Sequence, residues 1–76
     1  MTITIKANGN VEFKAQGYNK ELVWYMHRKW YANRAKWNAV KKVWTLAAGT
    51  DKEIEEAVGL AKFFEKERDA KITDER

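Results

Sequence analysis

The residues with distinctive chemistry in this chain are basic and aromatic rather than catalytic. Its 76 residues include 15 Lys and Arg, 4 Trp and 3 Tyr, but 1 His and 0 Cys. Without thiols and with His27 as its single imidazole, the chain is not expected to bind a metal through these residues. Glu53, Glu55 and Glu56 are clustered, yet they fall at a predicted helix N-terminus, where the helix dipole stabilises acids. We therefore expect neither enzymatic activity nor a cofactor.

The positive charge is concentrated in the first two thirds of the chain. The net charge of +4 divides into +7 over residues 1–50, which carry nine basic and two acidic residues, and −3 over residues 51–76, which carry six basic and nine acidic residues. A basic region with interleaved aromatic residues attracts anionic partners and is typical of nucleic-acid binding.

An aromatic cluster is predicted on one side of a helix near the middle of the chain. At helical spacing, Trp24, Arg28 and Tyr31 point away from the side that Leu22 and Met26 define, with His27 beside them. Exposed aromatic and Arg side chains can stack on unpaired bases or form a hot spot for a protein partner. A covering loop that buries Trp24 is the alternative, and the sequence leaves the choice open.

The elements that position these residues begin with a β-hairpin. Residues 2–7 and 11–15 both alternate polar and apolar side chains around the turn sequence Asn8-Gly9-Asn10. A three-residue loop pairs Ile5 with Phe13 and keeps the apolar side chains together, with Gly9 or Asn10 in the left-handed conformation. A helix should then begin after Asn19, which is a good N-cap.

Two interpretations of residues 35–48 remain open on the residue pattern alone. Trp30, Trp37 and Trp44 recur every seven residues, as they would in one long helix running from Asn19. Alternatively, Ala35–Trp37 and Val43–Leu46 form a second hairpin that pairs Trp37 with Trp44, and the β-branched and aromatic composition favours strands. In both cases the three tryptophans are predicted to lie in the core, because a small domain without disulfides needs large apolar side chains there.

A second helix and a frayed tail complete the prediction. Thr50 and Glu53 form a capping box, and Ile54, Ala57, Val58, Ala61 and Phe64 form the apolar stripe that follows it. We expect a single domain over residues 1–68 and a frayed, charged tail over residues 69–76, where Ile72 is the only large apolar residue.

The chain resembles the HARP-like domain, an accessory domain that precedes the motor of annealing helicases. The resemblance rests on Tyr18-Asn19-Lys20-Glu21-Leu22-Val23 at a helix start, on Lys36-Trp37-Asn38, and on Lys42-Val43-Trp44-Thr45-Leu46. It covers residues 3–64 and implies an α+β fold of order ββαββα, with two hairpins forming an antiparallel sheet and both helices on one face. Asn38 stands where the family usually has Asp, and Ala48 where Pro is common.

In that arrangement the uncovered face of the sheet is polar and could contact phosphates. The basic side chains assigned to this face and to the ends of the second hairpin are Lys6, Lys14, Arg34, Lys36, Lys41 and Lys42. With Arg34, Lys41 and Lys42 included, four or five positive side chains are expected to converge. An uncovered face of this composition is also what any half-buried antiparallel sheet presents to water.

The sequence therefore predicts a small non-enzymatic module that binds single-stranded or forked DNA. The resemblance to a domain that normally accompanies a motor suggests an accessory factor encoded by a phage or another mobile element. The alternative is an inhibitor or adaptor that binds a host nucleic-acid enzyme or defence complex through Trp24, Arg28 and Tyr31. We expect a monomer or weak homodimer. A cytoplasmic location is expected because residues 1–6 do not resemble a signal peptide and no apolar window reaches the length of a membrane span.

Overall fold

The computed structural model describes all 76 residues, which form five strands and three helices. Their order along the chain is β1 (Thr2–Ile5), β2 (Val11–Lys14), α1 (Lys20–Met26), α2 (Tyr31–Arg34), β3 (Ala35–Asn38), β4 (Val43–Leu46), α3 (Asp51–Arg68) and β5 (Lys71–Asp74).

All five strands belong to one sheet in the order β3-β4-β2-β1-β5. The β1–β2, β2–β4 and β3–β4 pairs are antiparallel, whereas β5 pairs with β1 in parallel. The predicted α+β class, with two hairpins in one sheet, is confirmed. The sheet is mixed rather than antiparallel throughout, because a fifth strand joins it.

The first hairpin forms with the predicted faces but a different register. Ile3 pairs with Phe13 and Ile5 with Val11, so the expected Ile5–Phe13 pair is wrong by two residues. Gly9 has φ 91°, as predicted for the left-handed position, and its N–H donates to the Lys6 carbonyl at 3.0 Å. The loop is Ala7-Asn8-Gly9, closed by the Lys6 N–H donating to the Asn10 carbonyl at 2.8 Å, because Gly9 rather than Asn10 takes the left-handed conformation.

The second hairpin has the predicted pairing. Trp37 lies opposite Trp44 and Ala35 opposite Leu46, so the interpretation as one long helix is wrong. Between α1 and β3 the chain forms only the single turn α2. β3 follows α2 directly, and the turn between Asn38 and Val43 then brings β4 alongside β3.

Both longer helices begin at the predicted caps. The Asn19 side chain accepts a hydrogen bond from the Leu22 N–H, at 2.9 Å, at the start of α1. The Thr50 hydroxyl accepts from the Glu53 N–H at 3.1 Å, while the Glu53 carboxylate accepts from the N–H of Gly49 at 2.8 Å. The Thr50 half of the capping box is therefore confirmed, whereas Glu53 accepts from Gly49, the residue before the N-cap, and not from the Thr50 N–H. Both contacts satisfy donors that would otherwise be unpaired.

The core lies between one face of the sheet and the two helices α1 and α3. Ile3, Phe13 and Leu46 from the sheet are fully buried with Phe64 from α3, and Leu22 of α1 is 2% exposed. Leu60 belongs to this core although it was not in the predicted apolar stripe. No side-chain polar group is buried without a hydrogen-bond partner, so the core is held by apolar packing.

The tryptophans only partly follow the prediction that three of them lie in the core. Trp30 and Trp44 are half-buried and pack against the core, whereas Trp37 is 51% exposed. The core prediction for Trp37 is wrong because β3 is the edge strand, and its side chains on the helix side extend beyond the helices.

The C-terminal residues form an ordered strand rather than the frayed tail expected from their composition. Asp69 adopts the left-handed conformation, with φ 56°, and turns the chain after α3, so that Ala70 becomes 4% exposed. Ile72 then lies opposite Ile3, and the Lys71 N–H donates to the Met1 carbonyl at 3.0 Å. The β1 edge pairs through backbone hydrogen bonds, which a side-chain pattern does not reveal.

Candidate nucleic-acid interface

One face of the sheet is covered by α1 and α3, and the other is open and polar. The strand registers place on the open face one apolar side chain, Val43, which is 7% exposed, and the polar side chains of Thr2, Thr4, Glu12, Lys14, Lys36, Asn38 and Thr45, together with Lys71 and Thr73 of β5. Side chains alternate between the two faces along each strand, so this set follows directly from the burial of Ile3 and Phe13. The predicted polar face is confirmed.

Three lysines on this open face, Lys14, Lys36 and Lys71, lack an acidic partner. All three are exposed, and none has a carboxylate within 4.0 Å. Lys6, which continues the face beyond β1, lies 3.5 Å from a carboxylate oxygen of Glu75. With strands about 4.8 Å apart, the strand bearing Lys36 lies roughly 10 Å from the strand bearing Lys14, a spacing that a flexible phosphate backbone can bridge.

The basic residues at the ends of the second hairpin do not converge. Arg34 precedes β3 and lies 4.0 Å from Glu53, beside the N-terminus of α3. Lys41 and Lys42 lie in the turn at the other end, which the four residues of β3 place roughly 13 Å away. The prediction that Arg34 joins these lysines is therefore wrong, while Lys41 and Lys42 remain next to each other.

The turn that carries these two lysines is organised by Asn38. Its side-chain oxygen accepts hydrogen bonds from the N–H groups of Val40, at 3.0 Å, and Lys41, at 2.9 Å. The oxygen of Asn makes this turn as the oxygen of Asp would, so Asn at this position preserves the hairpin. Lys42 has φ 57° and lines a groove on the helix side of the sheet.

A large apolar groove, which we call the aromatic groove, lies between α1 and the β3–β4 hairpin. Its volume is about 530 Å³. Tyr18 is 79% exposed and Trp37 is 51% exposed at its rim. The residues that line it are Phe13, Ala15, Gly17, Tyr18, Asn19, Leu22, Val23, Trp37, Lys42 and Trp44.

The groove exists because the helices do not extend over β3. Trp37 and Trp44 form a tilted pair, with ring centroids 5.6 Å apart, on the helix side of the sheet. His27 supports the far side of Trp44 at 5.9 Å, and its Nδ1 donates to the Val23 carbonyl at 2.8 Å. Trp44 is therefore fixed between two rings while Trp37 stays accessible from solvent.

The surroundings of the aromatic groove are positively charged. Lys42 is the one charged side chain among its lining residues, with Lys41 beside it in the turn, and Glu21 is the acid next in sequence to its lining residue Leu22. The Glu21 carboxylate accepts two hydrogen bonds from Arg68, at 2.8 and 2.9 Å, and these hold the pKa of the Arg68 guanidinium above its ordinary value. Because Glu21 is neutralised by Arg68, an anion at the groove would meet mainly lysines.

The predicted surface of Trp24, His27, Arg28 and Tyr31 is divided between separate sites. The Arg28 guanidinium lies 4.2 Å above the exposed Trp24 ring, on the side of α1 away from the groove. His27 instead packs against Trp44, and Tyr31 is half-buried against Trp30 with ring centroids 4.7 Å apart. The prediction that these four side chains form one surface is therefore wrong.

Tyr31 is enclosed by its surroundings more than its helical position suggested. Burial, and secondly the negative charge of Glu56, raise the pKa of its hydroxyl above the ordinary value of 10.0. Glu56 also accepts a hydrogen bond from the indole N–H of Trp30, which ties the segment before β3 to α3. Tyr31 and Trp30 therefore have a structural role that the pattern did not reveal.

Sequence reasoning missed the residues that make the groove. Tyr18 was used only as part of a helix-start motif, and Trp37 and Trp44 were assigned to the core. A signal was present in the predicted topology: two hairpins side by side leave one strand of the second hairpin at the sheet edge, and an aromatic side chain there is buried only if another element covers it.

The structure contains no cluster of His, Cys, Asp or Glu side chains that could hold a metal ion. None of its helices combines the length and the apolar character needed to cross a membrane.

Comparison of the chain with protein-family models, with curated proteins and with solved structures found no match. The resemblance to the HARP-like domain therefore stays a prediction.

Proposed function

We propose that this protein is a non-enzymatic module that binds nucleic acid, with single-stranded or forked DNA as its ligand. The observation that supports this most directly is the open face of the sheet, where Lys14 and Lys36 have no acidic partner. Lys41 and Lys42 extend the same charge around the end of the second hairpin.

The distribution of acids supports the same function. Residues 22–50 contain no Asp or Glu, and most of the acids lie on α3 or in and around β5. A phosphate backbone could therefore cross the second hairpin without meeting a carboxylate. Glu12, in the neighbouring strand β2, is the acid in the middle of the open face. Lysine contacts of this kind bind phosphates regardless of base sequence.

The exposed aromatic side chains favour unpaired over duplex DNA as the ligand. Trp37 and Tyr18 offer ring faces to solvent, and a base can stack on such a ring only after it has left its own stack. A forked substrate supplies both unpaired bases and a duplex end, as expected for an accessory module of a DNA-processing machine.

The test is a binding titration monitored by fluorescence anisotropy. Labelled single-stranded, duplex and forked DNA are compared over a range of salt concentrations. With four lysine contacts, the logarithm of affinity for a single strand should fall with the logarithm of salt with a slope of about −3. Absence of binding to all three ligands at low salt would contradict the proposal.

A matched pair of charge reversals identifies the face that binds. Lys36→Glu on the open face should weaken binding and make the salt slope shallower. Lys66→Glu changes the net charge equally but lies on the exposed side of α3, so it should have a much smaller effect. Equal effects of the two variants would indicate a response to net charge without a defined face.

The second candidate function is binding to a protein partner through Trp24 and Arg28. One face of the Trp24 ring is already covered by Arg28, so this Trp is a poorer stacking platform for a base but has the composition of a protein hot spot. The partner would be a host nucleic-acid enzyme, a defence complex or a second copy of the chain. Trp24→Ala should then abolish its binding, and Lys36→Glu should leave its binding unchanged. Affinity capture from nuclease-treated lysate and sedimentation velocity would measure the two cases.

A further inference from the structure

We propose that the aromatic groove holds unpaired nucleobases, with Trp37 and Tyr18 as the stacking platforms. This inference rests on the proposed binding of single-stranded DNA and adds the site at which the bases, rather than the phosphates, are bound. It replaces the expectation that Trp24 and Tyr31 are the stacking residues.

The shape and lining of the groove fit a planar apolar group. At about 530 Å³ it lies within the range of small-molecule sites in proteins, which is roughly 300–1,000 Å³. Phe13, Leu22 and Val23 supply apolar contacts within it, while Trp37 presents an exposed ring at its rim. A base inserted beside Trp37 would cover apolar surface that no part of this chain covers.

The polar groups at the groove match the remaining parts of a nucleotide. Asn19 uses its side-chain oxygen to cap α1, so its amide N–H donors are oriented elsewhere and have no partner within the chain. Those donors can reach an acceptor on a base edge. Lys42 also lines the groove, with Lys41 beside it in the turn, and both can neutralise the phosphates that flank the bound base.

The charge of the groove favours a nucleic acid over an apolar peptide as its occupant. Lys42 is the one charged side chain that lines it, and Glu21, the acid next in sequence to the lining residue Leu22, is paired with Arg68. A neutral peptide in the groove would remove water from the charged Lys42 side chain without neutralising it, whereas a phosphate of a nucleic-acid strand would neutralise that charge.

Trp24 is less suited to this role although its exposed fraction is the same. Both Trp24 and Trp37 are 51% exposed. Arg28 lies 4.2 Å above the Trp24 ring, and Tyr25 packs against the same ring with centroids 4.9 Å apart. The inner neighbour of Trp37 is Trp44, and the tilt of 49° between their planes leaves a wedge open to solvent. The two tryptophans are therefore a matched pair for a test.

The experiment compares oligothymidine with an abasic oligonucleotide of the same length, which keeps the phosphates and lacks the bases. Stacking on aromatic residues contributes enough per base to expect roughly 5- to 150-fold tighter binding of oligothymidine. Trp37→Ala and Tyr18→Ala should each remove most of that difference, while Trp24→Ala should leave it unchanged. Circular dichroism establishes that each variant is folded, and Tyr18→Ala, in an exposed loop position, decides the case if Trp37→Ala is unfolded.

The outcomes separate this inference from the proposed function. Equal binding of both oligonucleotides, unaffected by Trp37→Ala or Tyr18→Ala, overturns the base site but leaves phosphate binding in place. If only Trp24→Ala removes the preference for oligothymidine over the abasic oligonucleotide, the bases stack on Trp24, on the other side of α1, and the inference is also overturned. If neither oligonucleotide binds while an apolar or acidic peptide does, both the groove assignment and the proposed function fail.

Discussion

Trp37 and Trp44 lie directly opposite each other across β3 and β4, with ring centroids 5.6 Å apart, yet only Trp44 is covered by the rest of the protein. Trp44 is held between Trp37 and His27 and packs against the core. Trp37 has the same orientation relative to the sheet but lies one strand further out, where no helix reaches. The exposed aromatic surface is therefore a consequence of the position of β3 at the sheet edge.

Replacing Gly59 by alanine should stabilise the protein. Gly59 lies within α3, is exposed, and a Cβ placed there would meet no atom within 4 Å. Alanine in a helix interior is favoured over glycine by about 1 kcal/mol, which corresponds to a rise of roughly 4–8 °C in Tm for a domain of this size. Thermal unfolding followed by circular dichroism measures the effect, with Gly59→Ser expected to give about half the gain. A lower Tm for Gly59→Ala would show that the space there is filled.

Replacing Gly9 by alanine should destabilise the protein more than replacing Gly17. Both glycines have positive φ, at 91° and 78°, so alanine at either site incurs a cost of roughly 1–2 kcal/mol. At Gly9 the added Cβ would also lie 2.7 Å from Cδ1 of Ile54, whereas at Gly17 nothing lies within 4 Å. Denaturant unfolding of the two variants measures the difference. Equal losses would mean that Ile54 moves aside without cost.

The strand β5 should protect specific backbone amides from hydrogen exchange. The N–H of Lys71 donates to the Met1 carbonyl at 3.0 Å, and that of Glu75 donates to the Ile5 carbonyl at 2.8 Å. Both amides should therefore exchange more slowly than those of the exposed loop at residues 16–18, measured by NMR after transfer to deuterated water. Exchange of Lys71 and Glu75 at the rate of an unfolded chain would show that the segment frays, as its composition suggested.

The Asp74 carboxyl should titrate at an unusually low pH. Hydrogen bonds from the Arg76 side chain and, secondly, its backbone N–H lower the pKa of Asp74 from its ordinary value of 3.8 to about 2. Since the folded-state pKa is the lower one, the carboxylate favours the folded protein above about pH 4 and this contribution is lost as the pH falls towards 2. An NMR titration of the Asp74 side-chain carbon measures it.

Arg76→Ala tests the cause of that shift. It should return the Asp74 pKa towards 3.8, while Arg68→Ala, which removes a distant guanidinium, should not change it. An ordinary pKa in the unmodified protein would mean that Arg76 does not hold this position in solution.

Local patterns were sufficient to predict most of the secondary structure. Asn19 and Thr50 cap helices through their own side chains, so these helix starts depend on neighbouring residues. The Trp37–Trp44 hairpin was one of two interpretations of the residue pattern, and the resemblance to the HARP-like domain favoured it. The register of the first hairpin was predicted incorrectly because the pattern left open whether Gly9 or Asn10 takes the left-handed conformation, and Gly9 takes it. β5 depends on backbone groups of β1, which carry no residue-specific signal.

The candidate site was less predictable than the fold, for a related reason. The lysines of the open face could be identified because alternation alone determines which side of a strand they occupy. The groove depends on how far α1 and α3 extend over the sheet, and that is a property of helix packing rather than of any one segment. The same limit explains why Tyr31, which points outward on a helical wheel, is half-buried against Trp30.

The pairing of β5 with β1 determines when the sheet can be completed during synthesis. Thr2 leaves the ribosome long before its partner Lys71, because most of the domain lies between them in sequence. Until then one edge of β1 has no partner, and contacts between such distant residues form slowly. The newly made chain should therefore present an open β1 edge to chaperones, and assembly of the complete sheet must wait for translation of the last strand.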